Sequence, residues 1–442
     1  MIRKVYSSFE EFHEQNKELN TEVLFSSSTA ILNTPITIGN KKIHNRLVCQ
    51  AMEGCDGTAD GSPDTLTKRR YERVSHGGAG LIWFEATAVM EEARANPRQL
   101  YINDSNLDNF KRQVEEIKEI GIKSNGYEPI VVMQATHSGR YSKPEGVPAP
   151  LIAYNNPIFE KDNPIPTDRI VTDEYLDRVG EALVNGSVLA EKAGFDGVDI
   201  KCCHRYLNSE LLSAYNRDGR YGGSLENRTK LLRESVQGAI KCCSSDFIVS
   251  TRVNIYDGFP HPYGFGVKDD GSLEFDEIEP AWLIQELYNY GMRLINITMG
   301  NPYFNPHVNR PFAKGAYEID EHPLEGVKRV LDGTAKVKKK VPDMQIISSA
   351  LSYLGVAAPN VASAFIENGM FDFAGFGRTI FAYPDFANDI LKNGGMDKNK
   401  ICICCSKCTE IMRAPGGTPG CVIRDNDVYT PIYNELCVRN KK

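Results

Sequence analysis

Eight short apolar runs recur along the chain, and most are followed by a stretch with helical spacing. No other feature constrains the fold as much. The runs cover residues 45–52, 80–89, 129–134, 197–201, 247–253, 294–298, 345–350 and 371–377. Most lack polar alternation, the pattern of strands buried on both faces. Between them, 107–121 sets Phe110, Val114 and Ile117 on one helical face, and 173–194 does the same with Leu176, Val179 and Leu183. Further helices are expected over 224–240, 277–291 and 358–369, the last two stopping at glycine. Eight such units in unbroken series predict an α/β fold, a closed (β/α)8 TIM barrel, which needs about 250 residues. An open doubly wound sheet is the rival. The expected layout is an N-terminal extension over 1–30, a barrel over 31–395 and a cysteine-rich tail over 396–442.

The net charge of -7 argues against a nucleic-acid partner, which calls for a basic surface. No apolar run is long enough to suggest a membrane span. The start of the chain is polar and acidic, unlike a signal peptide, so a cytoplasmic, reducing location is expected. There, clustered cysteines serve metal or redox chemistry more often than disulfides. Five of the 12 cysteines fall within 401–421. Cys402, Cys405 and Cys408 are two residues apart, and Cys421 follows twelve residues later. That spacing suits a [4Fe-4S] cluster, in which each iron takes one thiolate. Zinc, which favours paired knuckles, stays open on spacing alone.

In a barrel of this kind, chemistry gathers at the C-terminal strand ends. Those ends carry Met52 and Glu53, Ala86, Gln134 with His137, then Lys201, His204 and Tyr206, followed by Arg252, Thr298, Ser349, Gly377 and Arg378. Singly, a buried Gln or Arg often only satisfies backbone or acid partners. Their shared location points to one site.

The segment after the fourth run includes "YGGSLENR" at 221–228, and other pieces stand at the matching strand ends: "QATHSGR" at 134–140 and "FAGFGR" at 373–378. Together they resemble the old yellow enzyme family of flavin-dependent barrels. The resemblance implies bound FMN, with Ala51, Met52, Glu53, Ala86, Gln134, Arg252, Ser349, Gly377 and Arg378 around it. Gln134 would serve the pyrimidine edge, Arg252 the N1/O2 locus, and Gly377 with Arg378 the phosphate. It implies Tyr206 as proton donor and His204 as a hydrogen-bond donor to a substrate carbonyl. Lys201 stands where the family often has His, Arg205 where it has Gly, and Glu53 where it often has Cys or Thr. Asn301, Tyr303 and His307, after the sixth run, are expected over the substrate with Arg205.

The tail resembles that of the subfamily containing 2,4-dienoyl-CoA reductase and trimethylamine dehydrogenase. That implies a [4Fe-4S] cluster on Cys402, Cys405, Cys408 and Cys421, with Cys404 a bystander. No dinucleotide-binding GxGxxG follows the tail, so a separate electron-donor protein is expected. The function expected is reduction of an activated C=C bond in a small unsaturated carbonyl or carboxylate substrate. The alternatives are an amine dehydrogenase or demethylase passing electrons outward, and a non-catalytic electron-transfer subunit.

Overall fold

The computed structural model describes residues 4–315 and 317–439. A short hairpin, β1 (Ile36–Ile38) and β2 (Lys41–Ile43), precedes eight parallel barrel strands. These are β3 (Leu47–Cys49), β4 (Leu81–Ala88), β5 (Ile130–Thr136), β6 (Gly197–Ile200), β7 (Ile248–Asn254), β8 (Leu294–Thr298), β9 (Gln345–Ser348) and β10 (Phe373–Phe376). They pair in chain order, and β10 closes on β3 through Ala374↔Leu47, Gly375↔Val48 and Phe376↔Cys49. Each strand lies inside one of the apolar runs or overlaps it, and the open-sheet alternative falls with the β10–β3 pairing.

One end of the barrel is sealed. Ile38 and Ile43 of the hairpin pack with Leu81, Ile130, Ile248 and Leu294, the first residues of four strands. Burying such side chains contributes roughly 1.5–3 kcal/mol each. With that end filled, the C-terminal strand ends form the open end of the barrel.

Helices surround the sheet. The expected 107–121 helix runs over Leu107–Asn125 and ends at Gly126, whose φ of 79° is the left-handed stop. The expected 224–240 helix is two helices, Leu225–Arg228 and Lys230–Cys242. At the junction the Thr229 hydroxyl donates back to the Leu225 carbonyl at 2.7 Å. In the extension, Phe9–Glu18 is a helix capped by Ser8, and Phe12 stacks edge-on against Tyr6, which meets Tyr353. Among the described residues no helix is long and apolar enough to cross a membrane.

Candidate active site

A cavity opens at the C-terminal strand ends. Gln50, Ala51, Met52 and Glu53 follow β3 in its wall, and His204 follows β6. Arg252 enters from β7, Tyr303 and Arg310 from beyond β8, Ser349 from beyond β9, Gly377 and Arg378 from beyond β10, and Cys408 and Arg413 from the tail.

The arginines of the cavity wall are unusual. Arg252 has a buried Nε with no partner, and Arg378 a buried Nη1 with none. The remaining contacts of Arg378 and Arg310 are neutral: Arg378 Nη2 donates to the Pro311 carbonyl at 2.7 Å, and Arg310 Nη1 to Ser406 Oγ at 3.4 Å. Among the described residues none of these three arginines forms an ion pair. Burial lowers the Arg310 guanidinium to about 10, and nearby Arg378 adds to the effect. Buried charge without a counter-charge is costly, so the end holding Arg310 and Arg378 fits an anionic group. Gly377 suits a close approach, since an added Cβ would meet only Met52 Sδ, at 3.4 Å.

His204 and Arg205 are consecutive residues with left-handed φ, 65° and 60°. This double turn sends neighbouring side chains to different places. His204 lines the cavity, and its buried Nε2 has no partner. Burial, then Arg252 and Lys201, push its pKa well below the usual range, so it is a neutral imidazole able to donate or accept. Arg205, expected over the substrate, instead faces a closed network. Its Nη1 donates to Ser213 Oγ at 2.6 Å and Asp257 Oδ2 at 3.1 Å, and its Nη2 to Tyr154 OH at 3.0 Å.

At the other end, polar groups satisfy one another. Tyr206 OH donates to Glu53 Oε2 at 2.6 Å and lies 3.1 Å from Tyr303 OH. Lys201 Nζ lies 3.7 Å from the centre of the Tyr206 ring and 3.8 Å from Glu53 Oε2. Glu53 and Tyr303 line the cavity, while Tyr206 and Lys201 stand behind them. Burial, then Glu53, hold the Tyr206 phenol well above its ordinary pKa, so it keeps its proton. Burial lowers Lys201, and Glu53 opposes that shift. Tyr303 stacks on Tyr141 at 4.0 Å, and Asn301 Nδ2 donates to Tyr141 OH at 2.9 Å. Asn301 thus acts beneath the loop rather than in the cavity wall.

Other expected residues lie elsewhere. Gln134 Nε2 donates to Asp199 Oδ2 at 2.6 Å, an oxygen that Trp83 Nε1 also reaches at 2.6 Å. Its amide nitrogen is therefore committed inside the barrel. Ala86 lies within β4, where its carbonyl accepts from Gln99 Nε2 at 3.2 Å. His307 Nδ1 is 2.5 Å from Tyr317 OH, outside the cavity wall. Sequence reasoning passed over Gln50, Arg310 and Arg413. Gln50 directly precedes Ala51, and Arg310 lies in the same loop as Tyr303, so being near a strand end was the available signal.

Cys402, Cys404, Cys405, Cys408 and Cys421 line a second, smaller pocket. Cys404 and Ser406 take left-handed φ values of 51° and 63°, which fold this short segment tightly. Backbone N–H groups already aim at sulfur: Cys404 N at Cys402 Sγ, 3.4 Å, and Arg424 N at Cys421 Sγ, 3.3 Å. Among the described residues no group of three or more His, Cys, Asp or Glu is placed to hold a metal ion. Arg378, Phe381 and Cys408 line both pockets, so the two share a wall. The segment is tied to the barrel by Thr418 Oγ1 donating to Asp56 Oδ2 at 2.7 Å, and by Arg69 and Arg73 on Asp425.

Residues 31–273 match the NADH:flavin oxidoreductase / NADH oxidase family. The NADPH dehydrogenase of Geobacillus sp. (strain WCH70) is 33% identical over 245 residues, covering 54% of this chain and 67% of that protein. The cinnamate reductase of Clostridium sporogenes is 29% identical over 394 residues, covering 85% of this chain and 55% of that one. A 2-naphthoyl-CoA reductase complex superposes with a TM-score of 0.68 at 20% identity, over 85% of this chain and 54% of that one, a likeness of fold. The chain thus spans about half the length of the latter two proteins.

Proposed function

Because the chain belongs to the NADH:flavin oxidoreductase / NADH oxidase family and is an oxidoreductase, we propose that it is an FMN-dependent reductase of activated C=C bonds. Its substrate is a small unsaturated carbonyl or carboxylate compound. One observation carries this reading: His204 Nε2, Arg252 Nε and Arg378 Nη1 are buried and unpartnered on residues lining one cavity. Bound FMN supplies a two-electron donor for an electron-poor carbon. Arg252 would face the pyrimidine edge, where negative charge develops, and Arg378 with the backbone at Gly377 and Ser349 the phosphate. His204 donates to the substrate carbonyl oxygen, drawing charge away from the double bond. Tyr206, kept as a phenol, releases its proton to the carbon next to that carbonyl after leaving Glu53. Lys201, which stands where the family often has His, lies against the Tyr206 ring, where its charge favours the phenolate that proton loss creates.

Cys402, Cys405, Cys408 and Cys421 would hold a [4Fe-4S] cluster. Their convergence on one pocket beside the cavity supports that assignment, as do the N–H groups aimed at sulfur. A separate electron-donor protein would dock over this pocket, where Ile403 and Ile423 are exposed beside Arg424. A second reading, oxidation of an amine with outward electron flow, is favoured by Glu53, a carboxylate in the cavity wall. Anaerobic purification with flavin, iron and sulfide quantified, followed by spectral titration, tests both readings. Oxidation of the reduced protein by an enone or enoate supports the first. Bleaching of the oxidised protein by an amine, with no response to any unsaturated compound, would replace it with the second.

A further inference from the structure

Arg310 is, with Arg413, one of two arginines in the cavity wall that neither the sequence motifs nor the reading above assigns. It lies in the loop after β8, at the cavity end that also holds Arg378 and borders the cysteine pocket. Two guanidiniums near one another, neither paired with a carboxylate, repel. Arg378 alone offers one fork, with Nη2 already spent on the Pro311 carbonyl. A phosphate monoester carries about -2 near neutral pH and has three acceptor oxygens. One arginine leaves that charge half balanced, and two balance it. Ser406 braces the second: its Oγ accepts from Arg310 Nη1 at 3.4 Å and donates to the Lys314 carbonyl at 2.8 Å.

We infer that Arg310, braced by Ser406 of the cysteine segment, is the second cationic ligand of the flavin phosphate. The inference rests on the FMN reading above, and flavin binding by the apoprotein separates the two. FMN and riboflavin differ only in the phosphate, so their affinities isolate this end of the cavity. Quenching of flavin fluorescence is measured for the wild-type apoprotein and for Arg310→Ala, Arg310→Lys and Ser406→Ala.

Removing one charge-assisted contact is expected to weaken FMN binding about 10- to 100-fold in Arg310→Ala. Riboflavin affinity should stay within about threefold. Arg310→Lys keeps the charge without the fork and should recover part of the loss. Ser406→Ala should shift FMN in the same direction by less. Equal losses for FMN and riboflavin, or no loss for FMN, would overturn the inference. An FMN loss that appears only together with loss of iron would also overturn it, since Arg310 would then serve the cysteine segment. If Arg310→Ala does not fold, Arg310→Lys decides, because a full wild-type FMN-to-riboflavin ratio in that variant is incompatible with a fork on phosphate. Wild-type apoprotein that binds neither flavin would instead overturn the FMN reading itself.

Discussion

The two ends of the cavity are built on opposite principles. At one end Arg310 and Arg378 stand near one another without a carboxylate partner among the described residues. At the other, Glu53, Tyr206, Tyr303 and Lys201 satisfy one another within hydrogen-bonding or ring-contact distance. Unpaired buried charge is tolerable where a resident ion offsets it, and such an end is shaped for something that stays. On the proposed reading, the self-satisfied cluster holds a proton that it gives up when a guest changes the partners. The same contrast recurs between His204, open to the cavity, and its neighbour Arg205, closed into a network.

The strongest way to break this comparison is at the self-satisfied end. Tyr206→Phe should lower steady-state reduction of an enone about 100-fold or more, while reduction of the flavin itself is preserved. Unchanged turnover would show that Tyr206 only packs. Next comes the closed network: Arg205→Met leaves Asp257 buried without its cation and should cost about 3–5 kcal/mol of stability in denaturant unfolding. His204→Asn should leave stability nearly intact and lower kcat/KM instead. If the two substitutions exchange phenotypes, the assignment of open and closed neighbours is reversed.

A smaller effect sits at His137, whose Nδ1 accepts from Gly139 N at 3.1 Å and whose Nε2 lies 2.9 Å from Tyr175 OH. Burial pushes its pKa down to about 3 from an ordinary 6.5. The folded protein keeps it neutral while the unfolded chain takes up the proton, so stability falls as pH drops below about 6.5. The loss should reach about 2 kcal/mol at pH 5. His137→Gln should flatten that slope in urea titrations across pH 5–7. The smallest change is expected from Cys404→Ser, which should retain iron and sulfide where Cys408→Ser loses both. Equal losses would make Cys404 a ligand.

The barrel was legible because strands buried on both faces leave continuous apolar runs that few other structures produce. Helices were less so. Thr65–His76 carries Lys68, Arg69, Arg70 and Arg73, and its inward charge hides the pattern. Arg70 is buried against Asp56 and Glu85, an arrangement that only the fold brings together. Within the site, residue types at strand ends were readable, but their directions were not. Gln134 commits its amide nitrogen to Asp199, its partner across the β5–β6 ladder. His204 and Arg205 part company through a double left-handed turn that neither residue type announces. Arg310 was hidden differently: its partners come from the cysteine segment, nearly a hundred residues on.

The wall formed by Arg378, Phe381 and Cys408 belongs to both pockets. A partition of this kind has no neutral side. Any substitution there is read twice, once by each chamber, so neither can drift in sequence without the consent of the other. The distance between them is one layer of side chains, and in the proposed enzyme that layer would set how far an electron travels from one to the next.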